Sequence, residues 1–240
     1  MKNVRLYLTS IALLPAFAFL QGQTVEEIIA KSILAAGGKD SIAKINSITM
    51  ESTTQVMGNE LATTTVILNG KGYKNSSDMN GQAIVQCYTE KGGWSINPMG
   101  GGSPEALPPG QLKYTRLQFE IGGPLLNYEA KGNKFELIGK ENVGPVEAYK
   151  LKLTTRDSAE INYFIDPVTF HVIQTTQKSE MMGQEVLLKI SQSDFRKTEF
   201  GYVMPFAMDL SFGEQFSLTV IVKKVEFNKP VDPAIFDMPK

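Results

Sequence analysis

The sequence predicts a mostly β protein with N-terminal helices, an α+β chain whose single antiparallel sheet curls and carries a helical cover on its concave face. Three observations lead there. From Ser47 to Asn228, apolar and polar residues alternate with period two in about ten segments, the pattern of half-buried strands. Turn signals separate them at Gly58-Asn59, Asn69-Gly70, Asn80-Gly81, Gly144-Pro145, Asp166-Pro167, Gly183 and Gly213-Glu214, so that neighbouring segments pair as a meander. The amphipathic helical pattern is confined to the stretch ahead of the first strand.

Taken in order, the chain opens MKNVRLYLTSIALLPAFAFLQGQT. Lys2 and Arg5 precede an apolar run from Leu6 to Leu20, and Ala16-Phe17-Ala18 supplies small residues before a cleavage point, which marks residues 1–23 as a secretory signal peptide. Cleavage falls after Ala18 or a few residues later, near Gln23. No later segment approaches the roughly 20 consecutive apolar residues of a membrane span, so residues 24–240 are expected to be one exported, soluble domain without an interdomain linker. In TVEEIIAKSILAAGG, Thr24 with Glu27 has capping-box spacing, and Gly37-Gly38 stops the helix. Ile28, Ile29, Ser32, Ile33 and Ala36 form its covering face. A short second helix is expected over Lys39 to Ile45.

Among the strands, SITMESTTQVM, LATTTVILN, AIVQCYT, KFELIG, EAYKLKLTT, AEINYFID, TFHVIQTTQ, EVLLKISQSD, YVMPFAMDLSF and QFSLTVIVKKVEFN carry the alternation. In EAYKLKLTT, Tyr149, Leu151 and Leu153 alternate with lysines; in AEINYFID, Ile161, Tyr163 and Ile165 alternate with Asn162 and Phe164, leaving one face of each strand wet. The apolar parity of the last strand shifts at Lys223-Lys224, which predicts a β-bulge. About ten strands exceed what a flat open sheet holds, so the sheet should curl, and a covered concave face makes a ligand-binding shape.

Composition and motifs exclude several chemistries. Without Lys2 and Arg5 the 24 basic residues fall to 22 against 25 acidic ones, a net charge of about −3 that argues against a nucleic-acid binder. Cys87 is the only cysteine, so no intramolecular disulfide staples the fold. His171 is the only histidine, which rules out two-histidine metal and catalytic motifs. No nucleophile, base and metal constellation can be assembled, and Gly139-Lys140 lacks the spacing of a phosphate loop. The expected protein is therefore a binding protein rather than an enzyme, with no cofactor and no metal.

Alternation then names candidate ligand-facing residues: Ile48 and Met50 on the first strand, Leu151, Leu153, Ile161 and Tyr163 on the central pair, Phe216 and Leu218 near the end. It does not say which face is concave. The methionines Met50, Met57, Met79, Met99, Met181, Met182, Met204 and Met208 suit either an adaptable cavity or ordinary core filling. GGWSINPMGGGSP, residues 92–104, reads as a loop at the sheet rim and a second lid. Its Trp94, the only tryptophan, is either a structural plug or a ligand contact.

The order of elements resembles the outer-membrane lipoprotein carrier and sorting family, LolA-like, of Gram-negative bacteria. The likeness is carried by the helix ending AAGG, the strand and turn YFIDPVTFHVIQ, the later FGYVMPFAMDL, and the ending NKPVDPAIFDMP, where Asn228, Asp232, Phe236 and Pro239 recur at the family's spacing. The resemblance implies an unclosed β-barrel with a helical lid, and a periplasmic role in holding lipid or lipoprotein acyl chains in transit. It also implies an inner-membrane release complex and an outer-membrane receptor as partners. Family carriers use an arginine to link barrel and lid, and Arg116 is the best-placed candidate. The alternative is an envelope interaction or sensor module that docks a protein partner on the same curved sheet.

Overall fold

The computed structural model describes residues 23–239 apart from residues 57, 109–111, 113, 115, 182–183 and 215, and leaves out the side chains of Met99, Arg116, Glu180 and Met181. The expected signal peptide falls outside the described residues except at Gln23. Helix α1 spans Val25–Ala35 and α2 spans Lys39–Ile42. The strands are β1 (Ser47–Val56), β2 (Asn59–Leu68), β3 (Gly72–Met79), β4 (Gln82–Thr89), β5 (Gly92–Ile96), β6 (Pro104–Ala106), β7 (Lys134–Val143), β8 (Val146–Thr154), β9 (Glu160–Ile165), β10 (Val172–Met181), β11 (Gln184–Lys197), β12 (Val203–Phe212) and β13 (Phe216–Phe227). Among the described residues no helix is long and apolar enough to cross a membrane.

Helix α1 begins with the expected capping box. The Thr24 side chain accepts from the Glu27 amide, and the Glu27 carboxylate accepts from the Thr24 amide, which satisfies two of the amides a helix start leaves unpaired. At the other end Gly37 takes φ 107°, and a Cβ there would run into the Gly201 carbonyl. The close approach lets the Val203 amide donate to the Ala36 carbonyl at 3.0 Å, so the helix end is bonded to the start of β12.

All strands join one antiparallel sheet in the order β6-β5-β4-β3-β2-β1-β13-β12-β11-β10-β9-β8-β7. Its edges β6 and β7 do not pair, so the curled sheet is an unclosed barrel. The expected bulge lies on β13, where the register steps from Glu51↔Lys224 to Ser52↔Val222, and the extra residue restores the apolar facing. Three strands, β3, β5 and β6, are additional to the ten expected. GYKNSSDM has no apolar alternation to betray it, yet it pairs with β2 over six positions and with β4 over eight. The segment read as a rim loop contributes β5 and β6, with only residues 97–103 between them.

Asn228 fastens the seam between the chain's two ends. It sits at φ 56°, a conformation asparagine tolerates. Its side chain accepts from the Asn46 amide at 2.7 Å and donates to the Lys44 carbonyl at 2.9 Å. Asn228→Ala removes both bonds and should lower stability by about 1–3 kcal/mol, to be read as a lower midpoint at unchanged slope in urea unfolding.

Candidate functional site

Helices α1 and α2 define the inner face of the sheet. Ile28 and Ile29 of α1 pack with Phe135, Leu151, Leu153, Ile161, Tyr163 and Ile165, while Ile42 and Ile45, in and just after α2, pack with Ile48, Met204 and Phe227. The register connects the two groups as one face. Leu151 lies opposite Tyr163, Tyr163 opposite Thr175, Thr175 opposite Ile190, Ile190 opposite Leu210, Leu210 opposite Leu218 and Leu218 opposite Val56. Val56 shares the parity of Ile48 and Met50 on β1. Eight of the ten candidate residues therefore lie on one side of the sheet.

Their surroundings differ. Leu151 and Leu153 are fully buried, and Ile48, Ile161 and Tyr163 are buried with them beneath the helices. Burial pushes the Tyr163 hydroxyl up from its ordinary pKa, so it stays neutral. Met50 is partly buried against the α2 group. Phe216 and Leu218 are half-buried and outside both buried groups. With Val186, Leu188, Ile190, Met208, Leu210, Phe212 and Val220, also half-buried on the same face, they form an apolar strip across β11, β12 and β13. The Phe212 and Phe216 rings lie 5.7 Å apart in it. An open cleft of about 420 Å³ at the β1–β2 turn and the start of β13 is lined mostly by polar residues, Gln55, Asn59, Glu60, Ser217 and Thr219, together with Val56 and Leu218.

Trp94 is not among them. It pairs with Cys87, which pairs with Lys74, which pairs with Val66, a row on the outer face. There the C-terminal segment covers it. Trp94 Nε1 donates to the Phe236 carbonyl at 2.8 Å, the Cys87 thiol donates to the same oxygen at 3.4 Å, and Lys74 Nζ donates to the Ile235 carbonyl at 3.1 Å. Of the two alternatives left open for Trp94, its place is that of a structural plug, but on the back of the sheet rather than at the mouth. Burial pushes the Cys87 thiol up to about 11, so it is protonated and unreactive at neutral pH.

Arg116 opens a 3₁₀ turn, Arg116–Gln118, in the long connection from β6 to β7, and its side chain is not among those described. That connection supplies the second part of the lid, in place of the expected glycine and proline loop. Phe119, Ile121 and Leu125 are buried. Asn69 anchors the connection by accepting from the Ile121 amide at 2.9 Å, and the Gly70 amide donates to the Phe119 carbonyl at 2.8 Å. Apolar residues spread around a coil show no period, which is why the alternation pattern passed over them.

Two further expectations change. The outer faces of β8 and β9 are not simply wet, because Phe164 is 2% exposed with the Lys150 ammonium 5.5 Å from its ring centre. A lysine stem covers apolar surface while its charge stays in water. His171 lies outside the described strands and stacks on Phe195 with ring centres 4.3 Å apart. Desolvation lowers its pKa, although the nearby Asp166 acts in the opposite direction. Among the described residues no group of three His, Cys, Asp or Glu side chains could hold a metal ion.

Similarity to known proteins is structural. No protein-family model matches the chain, and no curated protein does. The LolA superfamily protein from Nitrosomonas europaea superposes with a TM-score of 0.58 at 11% identity, over 90% of this chain and 98% of that one. A candidate outer membrane lipoprotein-sorting protein domain from Vibrio parahaemolyticus superposes with a TM-score of 0.54 at 11% identity, over 88% of this chain and 95% of that one. A DUF1329 family protein from Desulfovibrio piger gives 0.50 at 11% identity, over 90% and 98%. The chain has the LolA-like fold.

Proposed function

We propose that this chain is an exported protein of the Gram-negative envelope that holds the acyl chains of a lipid or lipoprotein against the inner face of its sheet, in sorting toward the outer membrane. The apolar strip on β11, β12 and β13 is the observation that supports this most. It is continuous in register with the residues under α1, yet it stays half-open. An exposed acyl chain costs about 0.8 kcal/mol per methylene, so such a strip is a sufficient carrier without any catalytic group. The LolA-like fold and the signal-peptide pattern agree with the periplasm as the place. Handover would run from an inner-membrane release complex to an outer-membrane receptor, as the resemblance implies.

The reading predicts that the purified protein carries lipid in native mass spectrometry or takes up a fluorescent probe with a palmitoyl chain. Leu218→Asp places a charge in the half-open strip and should weaken probe binding by about tenfold or more, since an uncompensated charge beside the chain costs at least 1–3 kcal/mol, with an unchanged circular dichroism spectrum. A protein that is empty and takes up no probe overturns the proposal, as does a folded Leu218→Asp variant that binds like the parent.

A further inference from the structure

The inner face is chemically divided. Across β11, β12 and β13 it is aliphatic and aromatic, whereas midway along β1, β2 and β3 the same face presents Ser52, Thr54, Thr63, Thr65 and Asn75, between Ile48, Met50 and Ile67 at one end and Val56 and Leu61 at the other. Ser52, Thr63 and Thr65 are 7%, 6% and 6% exposed, while Ala62 and Thr64 between them are exposed on the other side. The group is laced together. The Thr54 and Thr63 hydroxyls are 2.9 Å apart, and Asn75 Nδ2 donates to Thr65 Oγ1 at 2.9 Å.

A face that had only to pack would carry aliphatics at such buried positions, as β8 and β9 do. Thr54 lies opposite Val220 across the β1–β13 seam, so the polar zone borders the apolar strip directly. Charge is kept off the inner face of β1, β2 and β3 among the described residues: Glu51, Glu60, Lys74 and Asp78 all take outer-face register positions, as do Lys224 and Glu226 on β13, and Lys223 is the exposed residue of the bulge. Further along β11, Arg196 takes an inner-face position opposite Met204, where it lies over the Phe206 ring and pairs with Asp194 at 2.6 Å.

We infer that the inner face takes an amphiphile with an uncharged, hydrogen-bonding head, its acyl chain along Leu188, Ile190, Leu210 and Leu218 and its ester, amide or hydroxyl groups on the ladder of Thr54, Thr63, Thr65 and Asn75. The inference rests on the acyl-carrier reading and narrows it to a class of ligand. Thr63 Oγ1 also reaches the Leu61 carbonyl at 3.4 Å, and Tyr73 hydrogen-bonds to Thr65 and Asn75. Each hydroxyl has one donor and two acceptor sites, so these contacts still leave acceptor sites on Thr54 and Thr63 for a neutral, donor-bearing head. A carboxylate or phosphate in the same place would be a desolvated charge, since among the described residues β1, β2 and β3 place no cation on this face and Arg196 is already paired with Asp194.

The test is competition against the bound fluorescent palmitoyl probe by three ligands with the same chain: monopalmitoylglycerol, palmitate at pH 8 and palmitoyl lysophosphatidate. The glyceride should displace the probe at a concentration about tenfold or more below the two anions. Thr63→Val with Thr65→Val, which keeps the shape and removes two hydroxyls, should raise the glyceride's half-displacement concentration roughly 5- to 30-fold at about 1 kcal/mol per bond and leave palmitate's in place. Thr54→Val, at a less buried position, repeats the measurement if the double variant does not fold. Equal displacement by all three ligands, or a variant that shifts all three alike, overturns the head assignment while the acyl-carrier reading stands. A parent protein that never takes up the probe overturns both.

Discussion

Leu151→Asp leaves no folded protein. Leu151 has no exposed surface and lies between Leu137 and Tyr163 in the sheet, with Ile28 and Ile29 of α1 in the same buried group. The substitution forfeits about 3 kcal/mol of apolar burial and packing. It also buries a carboxylate among apolar side chains, at several kcal/mol more. Together these rival the 5–15 kcal/mol that stabilises an ordinary domain. The milder Leu151→Ala should remain folded and lose about 2–5 kcal/mol in urea titration. Ile138→Asp is the control, since Ile138 is 55% exposed beside the β7 bulge and its replacement should stay within about 0.5 kcal/mol. A Leu151→Asp protein with a native circular dichroism spectrum and a cooperative melt would mean that α1 does not seal this part of the face.

The second large effect concerns the back of the sheet. Phe236 is 4% exposed, and its ring rests where a side chain on Gly72 would stand, with ring atoms 2.8–2.9 Å from the position of a Cβ. Phe236→Ala removes about 3–5 kcal/mol of packing from a segment otherwise held by Val231 and Ile235 against the same buried group, one 3₁₀ turn, Pro233–Phe236, and three hydrogen bonds to side chains. The segment should detach, and the sole tryptophan then reports it directly: Trp94 emission moves to the red as water reaches the ring. Cys87 becomes reactive toward a thiol-specific disulfide reagent, because the burial that holds its pKa up is gone. Gly72→Val should reproduce both effects from the other side of the contact. Parent-like emission and an unreactive Cys87 in both variants would show that the hydrogen bonds and the packing of Val231 and Ile235 keep the segment in place without the Phe236 ring.

Much of this architecture was legible in the residues, and the illegible parts have physical reasons. The capping box at Thr24 and Glu27 and the bulge at Lys223-Lys224 are local, each fixed by a few neighbouring side chains, and both are found. Alternation puts Ile48, Met50, Leu151, Leu153, Ile161, Tyr163, Phe216 and Leu218 on one side of the sheet because parity survives within each strand. It could not rank them, since whether Leu151 is sealed and Leu218 half-open depends on where α1 lies along the sheet. The position of Trp94 on the back of the sheet is not legible locally, because its cover is Phe236, which lies 142 residues away. The hydroxyl ladder escaped notice for a different reason. KNSSDM reads as no strand when only apolar residues are counted, and the threonines of LATTTVILN go uncounted on their strand, though Thr63, Thr65 and Asn75 keep the period of two with polar side chains.

The strand order also bears on how the chain is assembled. Every strand pairs with its neighbour in sequence except at two places: β6 and β7 never meet, and β1 pairs with β13. The middle of the sequence is thus the border of the sheet, and the two ends of the sequence meet at its centre, where Asn228 and Ser47 are 181 residues apart in the chain. Hairpins on either side can form from local contacts as the polypeptide emerges, but the central seam must wait for the last strand. Closing so long a loop is the slow step in sheets of this kind. Until then β1 offers a bare edge, the form most prone to pairing with the wrong chain. Joining the segment that follows β13 to the start of α1 and opening the polypeptide between β6 and β7 would remove that delay, because the permuted order runs from β7 through β13 to β1 and β6 as one uninterrupted series of neighbours.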